Sequence, residues 1–189
     1  MRKFIEGKKI ILSSINLENV DIFTKWENHF QVRRTLRNVI PITSSQVKKY
    51  LEDEKNKPPN HLNFEIWYKP DEKLIGYCGF NFIRWFEKAA EIGFLIGEPK
   101  YWNKGCGTEA LFLLLEYGFN ELNLMKMELE AYSFNLASQK IAEKVGMERE
   151  LVLKENIFYN GQYHDSFLYG VTRDVWIKNA RELKNELGI

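Results

Sequence analysis

The 189-residue chain is poor in the residues that make most special chemistry: it has two cysteines, three histidines and five prolines, and its formal net charge is only +1. Cys78 and Cys106 are too few to form the framework of bridges that holds a small secreted domain together. His29, His61 and His164 are scattered without ligand spacing, so no metal is expected. A net charge this close to zero supplies no global field to draw in nucleic acid or an anionic lipid surface, and neither is expected as a partner. The N-terminal region offers only Ile10-Ile11-Leu12 as an apolar run. That is no secretory signal, and nothing in the chain approaches the ~20 apolar residues of a membrane span. The expected location is therefore cytoplasmic. One basic cluster stands out, Arg33, Arg34 and Arg37, which share a face if helical. It reads as a solvated helix face or as a contact for an acidic group.

What is present suits a globular α/β protein. Hydrophobic residues make up 44% and charged residues 28%, and the length fits one domain, residues 1–189. Lys9 to Ser14 reads as a strand. A helix follows with Ile22, Phe23, Trp26 and Phe30 at helical spacing. Thr43 or Ser44 can cap a second helix carrying Val47, Tyr50 and Leu51, ended by Pro58-Pro59-Asn60. Residues 61–69 alternate, with Leu62, Phe64, Ile66 and Tyr68 on one side and Asn63, Glu65, Trp67 and Lys69 on the other. Two more strands, 74–82 and 90–97, complete an antiparallel meander. Helix 108–122 is apolar nearly all round and must be deeply covered. A strand over 125–132 leads to an amphipathic helix with Ala137, Ile141 and Val145, stopped by Gly146. Two strands then flank Asn160-Gly161, a hairpin signal, and Trp176, Ala180, Leu183 and Leu187 stripe a last helix over 174–187. The order is β-α-α-β-β-β-α-β-α-β-β-α.

The chemistry gathers at Gly105-Cys106-Gly107-Thr108-Glu109-Ala110, where a glycine-rich turn after an apolar strand opens the long apolar helix. Such a turn lets backbone approach a ligand, and the helix aims unpaired N–H groups and its positive dipole end at the same point. A phosphate or diphosphate fits there. The lysine-bearing P-loop pattern occurs in no window. The GxGxxG/A pattern of dinucleotide folds is met, with Glu128 or Glu130 at roughly the distance of a ribose-binding acid. Against that reading, Glu98 to Lys104 separate the strand from the first glycine, and an NAD-binding oxidoreductase is the weaker alternative.

Three ordered blocks carry a resemblance. Trp102-Asn103-Lys104-Gly105-Cys106-Gly107 is similar to the [Q/R]-x-x-G-x-[G/A] diphosphate loop of the GCN5-related N-acetyltransferase (GNAT) superfamily. Trp102 departs from the general pattern but is usual in the RimJ/RimL-like branch. Asn135 to Met147 resembles the N-x-x-S-x-x-x-x-E-K-x-G-F element, and Tyr159 to Val171 resembles the closing hairpin of that branch. The resemblance implies a GNAT fold: a mixed, mostly antiparallel sheet of about seven strands, splayed between the fourth and fifth, with helices on both faces. It implies acetyl-CoA as cosubstrate, its diphosphate on the amides of Asn103, Lys104, Gly105, Cys106, Gly107 and Thr108 and its pantetheine arm along Leu95 and Ile96. Asn135 is the matching cofactor-binding asparagine; an N-cap is the other reading of the same residue.

The implied reaction is direct attack of an amine on the thioester. Stripping a proton at pH 7 costs about 4 to 5 kcal/mol for a lysine-like nitrogen and only ~1.4 kcal/mol for an α-amino group. Glu91 is the candidate base, or else an exposed strand-end carboxylate. Many GNAT enzymes protonate the leaving thiolate with a tyrosine where this chain has Ala142, and Ser138 is the substitute that the resemblance suggests, or else a helix-start hydroxyl. Cys106 lacks a neighbouring histidine and is not expected to act covalently. Glu27, Glu87 and Asp165 are candidates to receive a cationic group. The acceptor, an amine-bearing small molecule or a protein N-terminus, stays open, as does a homodimer. A non-catalytic acyl-CoA sensor is the further alternative.

Overall fold

The computed structural model describes residues 3–36, 39–52 and 59–189. Eight strands, β1 (Lys3–Glu6), β2 (Ile10–Ser14), β3 (Leu62–Tyr68), β4 (Lys73–Arg84), β5 (Ala89–Ile96), β6 (Lys126–Tyr132), β7 (Glu148–Tyr159) and β8 (Gln162–Thr172), form one sheet. Their order is β1-β2-β3-β4-β5-β6-β8-β7. Every neighbouring pair is antiparallel except β5 and β6. This topology overturns the dinucleotide-fold alternative, which requires a mainly parallel sheet. The helices are α1 (Val20–Asn28), α2 (Phe30–Leu36), α3 (Ser44–Leu51), α4 (Cys106–Asn120), α5 (Leu136–Lys144) and α6 (Arg173–Leu187).

Two hydrophobic clusters separate the faces. The larger packs Ile66, Phe80, Ile92 and Met127 of the sheet against Leu111, Phe112 and Leu115 of α4, Ala142 of α5 and Trp176 of α6. The smaller lies on the opposite face, where Phe23 and Trp26 of α1, Val32 of α2 and Val47 of α3 meet Leu74 and Leu95. The period of two in a strand assigns the side chains. Ala90 and Ile92 go to the α4 side, and Glu91, Gly93 and Leu95 to the side covered by α1 to α3. Helix α4 is buried on nearly its whole circumference, as its composition requires.

Most expected elements are present, with three differences. The sheet has eight strands rather than about seven, because Lys3–Glu6 adds a short edge strand whose exposed residues give no alternation to read. The helix expected to carry Ile22 through Phe30 is two helices, broken at His29, whose ψ of 128° is extended. Phe30 consequently faces solvent, 62% exposed, while Val20, Phe23 and Trp26 make the buried stripe. Glu65, on the expected polar side of its strand, is 2% exposed. It accepts from Asn16 N (3.0 Å), Asn19 Nδ2 (2.7 Å) and Trp67 Nε1 (2.8 Å), so this carboxylate fixes the turn into α1. Thr43 caps α3 in a capping box with Gln46. Helix α3 ends at Leu51, short of the prolines; Pro58 and Arg37 lie outside the described residues. The Asn160-Gly161 hairpin has φ of 50° and 78° at its two turn residues, as a two-residue β-hairpin favours.

Candidate active site

Strands β5 and β6 pair only through Ala89–Lys126, Ala90–Met127 and Glu91–Glu128. Beyond Glu91 they part, as expected between the fourth and fifth strands of the sequence reading. A cleft of about 920 Å³ opens in the fork, lined by residues 91–96 on one side and 129–132 on the other. Glu91 therefore sits at the vertex.

At the open end lies the glycine loop. Asn103 and Gly105 are both left-handed, with φ of 59° and 83°, a conformation that glycine adopts without a Cβ penalty. Gly105 is the N-cap of α4 and brings no capping side chain. The first ladder bond is Glu109 N to Gly105 O, 3.0 Å, so the N–H groups of Cys106, Gly107 and Thr108 precede the ladder. Gly107 is closely packed: a Cβ there would stand 3.0 Å from Phe94 and 3.1 Å from Ile141, and those side chains would have to give way. Together with the dipole of a fifteen-residue helix, these donors form an anion site. Asn103, Gly105, Cys106, Gly107 and Thr108 all line the cleft, as do Lys140 and Lys144 of α5. The Lys104 side chain turns elsewhere, its Nζ lying 4.9 Å from the centre of the Tyr101 ring. Burial, seconded by the Glu109 charge, raises the Cys106 thiol, and the residue is 1% exposed, so the thiolate form is disfavoured.

Trp102 closes the loop against the strand by donating its indole N–H to Ile96 O, 2.7 Å. This contact gives the tryptophan a role where a polar residue is the general pattern. Gly97 N donates to Ile75 O of the β4 side, 2.9 Å, so by alternation the main chain of Leu95 faces β4 while that of Ile96 and Phe94 faces the cleft. Asn135 is an N-cap, its Oδ1 accepting from Ser138 N at 3.2 Å, and its Nδ2 reaches across to Thr35 O at 3.3 Å. Both Asn135 and Ser138 line the cleft. Ala142 is fully buried on the α4 side, so a tyrosine-like acid has no counterpart at that position.

On the α1 to α3 face, beyond Glu91, the sheet carries two glycines among its side chains. Gly79 and Gly93 stand opposite each other and bring no side chain of their own, the amides of Asn63 and Asn81 lying beside them. The walls are polar. Glu91 is exposed and accepts from Asn81 Nδ2 at 3.3 Å, Asn81 being the extra residue of a bulge between Phe80 and Phe82 that turns it toward Glu91. Tyr77 donates its hydroxyl to Glu27 of α1. Burial first, then the Glu27 charge and this hydrogen bond, push the Tyr77 phenol well above its ordinary value. Tyr50 of α3 is raised by burial and by the charges of Glu27 and Glu91 together, so both carboxylates act on one space. Glu130 of β6 also lines the cleft. Of the three carboxylates expected to meet a cation, Glu27 lines the cleft; Asp165 is instead held by Lys154 Nζ (2.8 Å) and Glu155 N (2.9 Å), and Glu87 is an exposed residue of the β4–β5 turn. Sequence reasoning missed Tyr77, Asn81 and the paired glycines. Isolated glycines inside two strand patterns were the available signal.

The arrangement can hold an anion at one end and a cation at the other, with a carboxylate at the vertex between them. Among the described residues no group of three or more metal-ligating side chains is placed to hold an ion, and no helix is long and apolar enough to cross a membrane.

Comparison with known proteins agrees with this geometry. The N-acetyltransferase p20 of Bacillus licheniformis is 27% identical over 169 residues, 88% of this chain and 94% of the relative. Spermidine N(1)-acetyltransferase of Escherichia coli K12 is 38% identical over 72 residues, 38% of this chain and 39% of that one. The spermidine N-acetyltransferase of Vibrio cholerae, solved with CoA and spermine, shares the fold with a TM-score of 0.81 at 19% identity, over 90% of this chain and 99% of the other. The model of the acetyltransferase (GNAT) domain matches residues 9–148, and the chain belongs to that family, as an enzyme that moves an acetyl group from acetyl-CoA to an amine.

Proposed function

We propose that the acceptor is a small, slender amine carrying at least one further cation, of the polyamine kind, and that all 189 residues serve this one reaction as a single domain. The carrying observation is the acidic end of the cleft: a glycine floor flanked by Glu27, Glu91 and Glu130, with Tyr50 and Tyr77 as walls. A cationic chain lies on such a floor with its charges toward the carboxylates, while a bulky acceptor meets the α1 to α3 cover. The similarity to a spermidine acetyltransferase supports the same class.

In this reading acetyl-CoA supplies the activated acyl group. The N–H groups of Gly105, Cys106, Gly107 and Thr108 hold its diphosphate, with Asn103 shaping the turn and the Lys104 peptide entering it. The main chain of Phe94 and Ile96 and the side chain of Leu95 receive the pantetheine arm. Asn135, when it engages the cofactor, gives up its bond to Thr35 O. Glu91 takes the proton of the attacking ammonium, directly or through one water, and passes it to solvent, so that the nitrogen attacks in the neutral form that costs roughly 4 to 5 kcal/mol to reach at pH 7. Ser138 gives a proton to the departing thiolate and is replenished from solvent. We place the reaction in the cytoplasm, where buried free thiols such as Cys78 and Cys106 stay reduced.

A second copy of the chain is the partner we propose for the β7 edge. Leu151, Val152 and Leu153 are apolar yet 54%, 41% and 40% exposed. A two-fold antiparallel pairing centred on Val152 would set Leu151 against Leu153 and Glu150 against Lys154.

The test is the specificity constant for a series of acceptors with acetyl-CoA held saturating: a monoamine, a diamine, a triamine and a peptide with a free N-terminus. The reading expects the di- and triamine to exceed the monoamine of equal length by about tenfold, the worth of one further charge-assisted contact. A peptide N-terminus outrunning them would return the acceptor to the protein class.

A further inference from the structure

The geometry points to Lys9, in the β1–β2 turn and about a hundred residues from the loop in sequence, as a positioning residue for the diphosphate site. Its Nζ donates to Lys104 O at 3.1 Å. In a planar trans peptide the carbonyl and the following N–H point in opposite directions. Holding the Lys104 oxygen outward, on the Lys9 side, therefore aims the Gly105 N–H the other way, into the cleft that Gly105 lines. The Lys104–Gly105 peptide needs such a guide, since Gly105 sits in the left-handed region, where glycine moves freely, and α4 has no capping side chain to fix its entry. The amine passes close over Gly105, where a Cβ would stand 3.2 Å from Lys9 Nζ.

Lys9 is itself held in place. Its N–H and that of Ile10 both donate to Glu109 Oε1, at 2.9 and 3.4 Å, and Glu109 is buried in the first turn of α4. Lys69 secures the same turn from the other side, donating its Nζ to Gly7 O at 3.1 Å and its N–H to Lys9 O at 2.8 Å. Gly7 has no room for a side chain, because a Cβ would stand 2.2 Å from Glu109 Oε1. The β1–β2 turn and the mouth of α4 thus clasp each other twice: Glu109 holds the turn, and Lys9 holds the loop. Lys9 is exposed and makes no part of the hydrophobic core, so removing its amine leaves the fold intact.

This inference rests on the reading of the loop as the acetyl-CoA diphosphate site, and the experiment separates the two. Lys9→Met and Lys9→Arg are compared with the unaltered enzyme, using acetyl-CoA and S-acetylpantetheine, a thioester that lacks the diphosphate. For Lys9→Met the expected result is a KM for acetyl-CoA raised about fivefold, the worth of one exposed charge-assisted hydrogen bond, with kcat and the KM for S-acetylpantetheine unchanged. Lys9→Arg restores the acetyl-CoA value. In the ligand-free protein the Gly105 amide resonance moves in Lys9→Met and returns in Lys9→Arg, which a lysine acting only as a charge on bound phosphate would not produce. An unchanged KM for acetyl-CoA, an equal loss with both thioesters, or a stationary Gly105 resonance overturns the role of Lys9. Failure of the unaltered enzyme to bind acetyl-CoA would instead overturn the reading of the loop.

Discussion

Glu91 and Tyr77 pose different residue-scale questions. For Glu91 the issue is proton removal from an acceptor nitrogen whose pKa stands above 10. Glu91→Gln keeps the shape and the Asn81 contact, so kcat/KM for a polyamine should fall about 10²-fold or more at neutral pH, with acetyl-CoA affinity unchanged. Raising the pH should recover much of the loss, since hydroxide then does the work of the base. A pH–rate profile of enzyme and variant checks this, and equal losses at all pH values would assign Glu91 to binding alone. For Tyr77 the issue is stability. Its folded-state phenol titrates above the unfolded one, so the stabilisation it gives is whole below about pH 10 and drains away as the pH climbs through the folded value. Tyr77→Phe should lose about 1 kcal/mol at neutral pH, discounted for the partly exposed Glu27, with a smaller deficit in strong alkali. Urea unfolding at the two pH values measures the gap. Neither partner announced the other in the sequence, because the Tyr77–Glu27 contact joins residues 50 positions apart. Glycine and asparagine at the loop were legible because their backbone needs are local.

Elements were legible where one face is buried and obscure where it is not. Helix α4 and strands β3 to β5 bury most of their apolar side chains, and those apolar runs are written in the sequence. Strand β1 has no such run, and the break at His29 depends on how α2 turns to bury Val32. The bulge at Asn81 is likewise tertiary, and it governs one prediction. In Gly93→Ala the new methyl would stand 2.9 Å from Asn81 Nδ2, displacing the amide that holds Glu91. Acceptor kcat/KM should drop by about tenfold while acetyl-CoA binding holds, a pattern that steady-state kinetics with each substrate varied will reveal. Thr43→Ala offers the contrasting case. It deletes the cap of α3 and should cost about 1 kcal/mol in thermal or urea unfolding without changing affinity for acetyl-CoA, whose proposed contacts lie at the other end of the cleft.

At the scale of the molecule, one sheet does two jobs. Its α4 side builds the core, and its α1 to α3 side, where two glycines face each other, leaves space for an acceptor. The parting of β5 and β6 joins these spaces, and the order of elements anticipated it; that Glu27 shares one cleft with Glu91 and Glu130 emerged only when α1 folded over the sheet. If two copies meet along β7, Leu151→Lys combined with Leu153→Lys should convert a dimer to a monomer in size-exclusion chromatography with light scattering, leaving the fork intact. A monomeric unaltered protein would remove that partner. The central claim is direct passage of the acetyl group, within the fork, from acetyl-CoA to a cationic amine. It is tested most directly by a single-turnover quench of enzyme, acetyl-CoA and a triamine, counting acetylated amine, free CoA thiol and acetyl-enzyme at each time. The account predicts equal yields of amide and thiol with no acetyl-enzyme; bound acetyl-CoA that releases no thiol in the amine's presence, or acetyl on Cys106 ahead of product, would contradict it.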